Sequence, residues 1–155
     1  MADRAGVGKA TIYRHWRHKL DLIGDAFRML QDEGDPQLVS GTPREKLERI
    51  VRHVAQVAKH SPFSTCLPAL IDAAERDAEL RTFHRRFQAA ARRPLIALLE
   101  QGARSGDFPR HLNAELAAFS LLGTIFFCRL MTSKPFDPDR AGELVDVVLG
   151  ERPRH

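Results

Sequence analysis

The sequence has two cysteines, one tryptophan and one tyrosine among its 155 residues, and aromatics make up only 7%. Cys66 and Cys128 both sit inside apolar runs with no pairing pattern around them, which excludes a disulfide-stapled scaffold and suits a reduced, cytoplasmic setting. Long apolar runs are lacking too. The longest stretch without a charged residue runs from Leu116 to Cys128, 13 residues, against the roughly 20 that a membrane-spanning helix needs, so no membrane partner is expected. No basic segment followed by an apolar one opens the chain in the manner of a secretory signal. Alternating apolar and polar runs bounded by hairpin turns are absent as well. What remains is 43% hydrophobic and 28% charged, the composition of a globular protein with room for a main domain and a small one.

The formal net charge of +4 is concentrated at one end. Residues 1–19 hold Arg4, Lys9, Arg14, Arg17 and Lys19 against Asp3 alone, and from Leu20 onward 19 basic residues balance 19 acidic ones. A basic end on a neutral body either faces a polyanion, nucleic acid being the commonest, or is a solvated face; charge alone leaves both open.

Helix signals are dense and the fold class is all-α. Thr42-Pro43-Arg44-Glu45 reads as a capping box with proline in the first turn, opening a helix to about His60. Its apolar stripe is Leu47, Ile50, Val51, Val54, Val57 and Ala58, and Ser61-Pro62 ends it. A second helix covers Phe63 to about Glu75, with Pro68 either kinking it or marking its true start. Asp77 caps a long one to about Arg104, with Leu80, Phe83, Phe87, Leu95, Leu98 and Leu99 inward and Arg81, Arg85, Arg92 and Arg93 outward. Pro94 should bend it. Asn113 caps a helix from Ala114 to about Met131, and Asp137-Pro138 starts a last one ending near Gly150. In the helix from Ala114, Leu116, Phe119, Leu121, Leu122, Ile125, Phe126 and Phe127 wrap most of the circumference, which requires burial on more than one side. The turn-forming stretch between Asp32 and Thr42 is the expected boundary between a unit at 1–32 and a larger one at 33–155. The tail from Glu151 to His155 is expected to be disordered.

The unit at 1–32 carries the one motif with functional content. A helical stretch from Ala2 to Ala5, a Gly6-Val7-Gly8 turn, an amphipathic stretch from Lys9 to Trp16 and a longer helix from about His18 to Leu30 make a helix-turn-helix. At 100° per residue Ile12 and Trp16 point one way, Ala10 and Arg14 the other, with Thr11 and Tyr13 on the flanks. The outward set suits DNA: charge from Lys9 and Arg14, hydroxyls from Thr11 and Tyr13 for phosphates, and Ala10 small enough for close approach to base edges.

The run from Ala2 to Trp16 with Lys19 resembles the second and third helices, and the start of the fourth, of the tetracycline-repressor (TetR) family of bacterial transcriptional regulators. Residues 43–150 are similar to one type of TetR C-terminal domain through Arg76-Asp77-Ala78-Glu79-Leu80, Arg104-Ser105-Gly106-Asp107, Leu122-Gly123-Thr124 and Arg129-Leu130-Met131. The resemblance implies that Lys9, Ala10, Thr11, Tyr13, His15 and Lys19 line DNA, with Tyr13 and Lys19 on phosphates; Arg14 joins them by its place on the wheel. It also implies a small-molecule effector inside the helical domain. For that pocket the candidates are Phe63, Cys66, Leu67, Phe83, Phe87, Phe126 and Phe127, each of which is ordinary core on the bland reading. The resemblance implies a homodimer through the helices at about 114–131 and 138–149, acting as a repressor on a palindromic operator.

Three departures from the family pattern bear on DNA binding. Gly8 replaces a serine or threonine cap, and Arg17-His18 replaces a proline-serine pair. The family's first helix has no counterpart before Met1, where the family usually has valine or isoleucine, so the start is expected to be an internal codon. Without that helix Val7, Ile12, Trp16, Leu20 and Ile23 lose cover, and a loosened DNA-binding unit follows. A second reading is therefore a ligand-binding or dimerisation module defective in DNA binding.

Catalysis and metal binding find no support in the pattern. Gly6 to Thr11 superficially matches the end of a phosphate-binding loop, but Asp3 and Ala10 stand where that loop needs glycine and a hydroxyl residue. His15, His18, His53 and His60 form no metal-ligand spacing, and no nucleophile elbow occurs. The chain is thus expected to be no enzyme and to need no cofactor or metal.

Overall fold

The computed structural model describes residues 40–150, the side chains of Pro62, Phe63 and Cys66 excepted. The helix-turn-helix expected over 1–32, the boundary expected after it, and the tail 151–155 lie outside the described residues. Those described are all-α, without a strand. The helices are α1 (Pro43–His60), α2 (Pro62–Arg76), α3 (Ala78–Ser105), α4 (Ala114–Met131) and, after a 3-10 turn at Pro138–Arg140, α5 (Ala141–Leu149). They fall into two compact units, Pro62–Ala89 in one and residues 40–61 with 90–150 in the other.

The capping residues explain where the helices begin. The Thr42 hydroxyl accepts from the Glu45 amide at 3.2 Å while the Glu45 carboxylate accepts from the Thr42 amide at 2.8 Å, so two donors that the first turn leaves over are satisfied reciprocally. These hydrogen bonds, with Arg49 nearby, hold the Glu45 carboxyl below the usual carboxylate range. The Asp77 carboxylate accepts from the amides of Glu79 and Leu80 at 2.9 and 3.2 Å and opens α3. Gly150 closes α5 in the left-handed conformation, at φ 71°, where a side chain would be strained.

Several details differ from the sequence reading, and Arg92, expected to face outward, is half-buried. Arg81 is half-buried rather than outward, because its guanidinium turns back to donate to the carbonyls of Ala74, at 3.1 Å, and Glu75. It thereby occupies carbonyls that the end of α2 leaves over. The last helix is preceded by a separate 3-10 turn, since Asp137 caps Asp139 and Pro138 sets a tight first turn. Both internal prolines, Pro68 in α2 and Pro94 in α3, lie within continuous helices.

The core of the unit formed by 40–61 and 90–150 gathers one face from each helix. Leu47, Ile50, Val51, Ala55 and Ala58 of α1 meet Leu95, Leu98 and Leu99 of α3, Ala117, Ala118, Leu121 and Ile125 of α4, and Ala141, Leu144, Val145 and Leu149 of α5. Helix α1 packs on both α4 and α5, and α4 packs on α5. Alanines on α1, α4 and α5 let the helices approach closely. Ala55, not Val57, completes the buried stripe of α1, Val57 being half-buried. Arg44, near the start of α1, bridges Glu48 at 3.0 Å and Asp146 of α5, which pins the two helices at their edge.

Candidate functional site

Helix α4 has two faces of different fate. Ala117, Ala118, Leu121 and Ile125 are buried in the core. Opposite them, Leu116 is 63% exposed, Phe119 45%, Phe127 60%, Leu130 36% and Met131 72%, and on α5 Val147 is 77% exposed. A run of large apolar side chains left exposed along one face of a helix, as on α4, is unusual on a single folded chain and marks a surface that meets something else. The apolar circumference read from the sequence is real, but within one chain only one side of it is covered. By length and composition α4 could also cross a membrane; the four core residues instead pack within the protein.

The polar residues on and beside the patch turn inward to the backbone. The Ser120 hydroxyl donates to the Leu116 carbonyl at 2.9 Å and the Thr124 hydroxyl to the Ser120 carbonyl at 2.8 Å. Both donors are thus satisfied within α4, and the surface they present is nearly apolar. At the patch edge the Arg92 guanidinium lies 4.7 Å from the centre of the Phe119 ring, a cation–π contact from α3. Sequence reasoning missed Arg92 and Gly123. The side of Phe119 that faces α3 is a matter of tertiary packing, whereas an unexplained glycine in mid-helix was a legible signal.

The candidate pocket residues are distributed as follows. Phe83 and Phe87 stack at a tilt of 31° with ring centres 6.1 Å apart, in the unit that also holds Leu67. Leu67 and Phe87 are buried and Phe83 half-buried. Phe126 packs half-buried against the core of the other unit, and Phe127 lies on the exposed face of α4. The side chains of Phe63 and Cys66 lie outside the described residues, as do Lys9, Ala10, Thr11, Tyr13, Arg14, His15 and Lys19. Cys128 is a free, half-buried thiol. Among the described residues no group of three or more histidine, cysteine or acidic side chains is placed to hold a metal ion.

His84 sits one turn before Gln88, whose side-chain amide is 3.3 Å from its Nε2. Burial holds its imidazole below the ordinary 6.5 by disfavouring the charged form. The folded protein therefore binds this proton less readily than the unfolded chain. Its contribution to stability is complete above the unfolded value and falls away as pH drops through 6.5. Acidifying from about pH 7.5 to 5.5 is expected to lower the urea midpoint less in His84→Gln than in the parent. An equal drop in the two proteins would remove His84 as a source of acid sensitivity.

The sequence compared with known families matches the tetracyclin repressor-like C-terminal domain over residues 39–148, a span that includes all five helices up to the last residue but one of α5. It is also 30% identical over 148 residues to a protein of Bacillus subtilis (strain 168) named as the uncharacterised HTH-type transcriptional regulator YdeS, an alignment covering 94% of this chain and 73% of that one. With an all-helical body capped and packed as described, and with both similarities spanning most of its length, the chain belongs to the TetR family of transcriptional regulators.

Proposed function

We propose that this protein is a ligand-responsive repressor that acts as a homodimer on a palindromic operator. The observation that carries the reading is the exposed apolar face of α4, opposite a face already committed to the core. A two-fold dimer buries the same patch from both copies at once. The unit at 1–32 is then the DNA reader and 33–155 the ligand-binding and dimerisation domain. Lys9, Arg14, Tyr13 and Lys19 serve phosphates, Ala10 approaches base edges with Thr11 beside it and its hydroxyl within reach of a phosphate, and His15 lines the DNA. The effector is an apolar small molecule held within the unit that contains Phe63, Cys66, Leu67, Phe83 and Phe87. It acts by binding more tightly to a dimer geometry whose recognition helices no longer match successive major grooves.

The test is binding to a DNA site selected from a random-sequence pool, measured across salt concentrations. Loss of one phosphate contact lowers the slope of log affinity against log salt by about 0.9. Lys19→Ala, removing one contact per half-site, is expected to weaken binding at every sequence and flatten the slope by roughly twice that. Ala10 and Thr11 variants should change the preferred bases instead. A slope that Lys19→Ala leaves unchanged overturns the phosphate role, and a pool that yields no enriched site overturns operator recognition by this chain.

A further inference from the structure

We infer that the two copies meet in a single register, with their α4 helices crossing antiparallel about a two-fold axis at Gly123. The inference rests on the homodimer reading and adds to it the crossing point and the direction of pairing. Gly123 stands in the middle of α4 and is exposed, and a methyl group built on it meets no atom of the described residues within 4 Å beyond its own helix backbone. Among the described residues neither backbone conformation nor packing calls for glycine there. Glycine disfavours a helix interior, so a close external approach is the physical role left to it.

Four of the exposed apolar side chains of α4 are arranged symmetrically about that residue. Leu116 and Leu130 lie seven positions to either side of Gly123, and Phe119 and Phe127 four positions to either side. Seven residues on a helix advance by about two turns and four by slightly more than one, so all five positions fall on one stripe. The stripe reads leucine, phenylalanine, glycine, phenylalanine, leucine in both directions. An isologous interface requires a patch that complements itself, and an antiparallel pair centred on one residue brings each position beside its mirror position on the other helix. Leucine ends then meet leucine ends, phenylalanines flank the middle, and the residue without a side chain lets the backbones approach where they cross.

The experiment is directed cross-linking of the 155-residue chain in a Cys66→Ser, Cys128→Ser background, with association followed by analytical ultracentrifugation. A disulfide requires Cα atoms within about 7 Å, which only a residue at the two-fold crossing satisfies with its own copy. Gly123→Cys is expected to form a covalent dimer under mild oxidation, and Thr124→Cys, a residue around the helix, is not. Gly123→Leu is expected to raise the dimer dissociation constant at least tenfold while leaving the melting temperature of the separated chain no lower, since leucine favours helix. A dimer that cross-links through Thr124→Cys and not through Gly123→Cys overturns the register and leaves the homodimer standing. So does a Gly123→Leu dimer as tight as the parent. A parent chain that sediments as a monomer at all concentrations overturns the register and the homodimer together.

Discussion

Phe127→Asp is expected to turn the dimer into a monomer without unfolding the chain. The ring is 60% exposed within its own chain, so the fold itself depends little on it. In a two-fold dimer the substitution counts twice. Burying a phenylalanine is worth about 1.5–3 kcal/mol, so two of them amount to roughly 3–6 kcal/mol, or about two to four decades in the dissociation constant. An aspartate left facing an apolar surface adds a desolvation penalty to that loss. Sedimentation at concentrations where the parent is dimeric should give the mass of one chain, with the helical circular dichroism retained. Affinity for a palindromic site should collapse with it, because the second half-site is no longer engaged in the same binding event. A Phe127→Asp protein that remains a dimer with parental affinity would remove the α4 face from the interface.

Phe108→Ala is expected to destabilise the fold by about 3–5 kcal/mol, the usual range for removing a buried phenylalanine. Phe108 is almost wholly buried although it lies beyond the end of α3. The reason is local. The amides of Gly106 and Phe108 both donate to the Gly102 carbonyl, at 3.1 and 3.0 Å, and Gly106 takes φ 87°. The chain thereby reverses sharply after Ser105, and the phenyl ring is laid back across Gly102. A Cβ on Gly102 would stand 2.1 Å from the ring. Gly102→Ala is accordingly expected to destabilise by about 1–3 kcal/mol through overpacking, against a helix-propensity gain of about 1 kcal/mol. The pair should be strongly non-additive, since Gly102→Ala in the Phe108→Ala background no longer meets a ring. Chemical denaturation of the two single variants and the double variant measures this coupling. Simple additivity would refute the close packing of Phe108 on Gly102.

The two glycines show where reading the sequence stops. Gly102 and Gly123 both lie inside helices and look alike in the one-dimensional pattern. One is covered by a ring that folds back from a loop, and the other has open space beside it. The difference depends on which segments return to which helix. Phe108 gave no periodic signal because it is one residue in a turn region, and Arg81 looked like a solvent-facing arginine because its carbonyl partners belong to the preceding helix. By contrast, Thr42 with Glu45, Asp77, Asn113 and Gly150 all act at the helix ends where local chemistry placed them. Their partners lie within three or four residues, so no tertiary information was needed.

By itself the sequence determined the all-helical class, the limits of the described helices to within a residue or two except at the start of α5, and the family. Each depends on short-range spacing: caps satisfying nearby amides, apolar residues recurring every three or four positions, and motifs contiguous along the chain. Only the tertiary structure decided which arc of α4 is core and which is left for a partner. A helix apolar around most of its circumference carries no mark of which side its own chain will cover. The choice was made by α1 and α5, which pack on the side of Ala117, Ala118, Leu121 and Ile125, where the two alanines permit close approach. The larger Leu116, Phe119 and Phe127 are thereby left outward, where only another molecule can remove them from water.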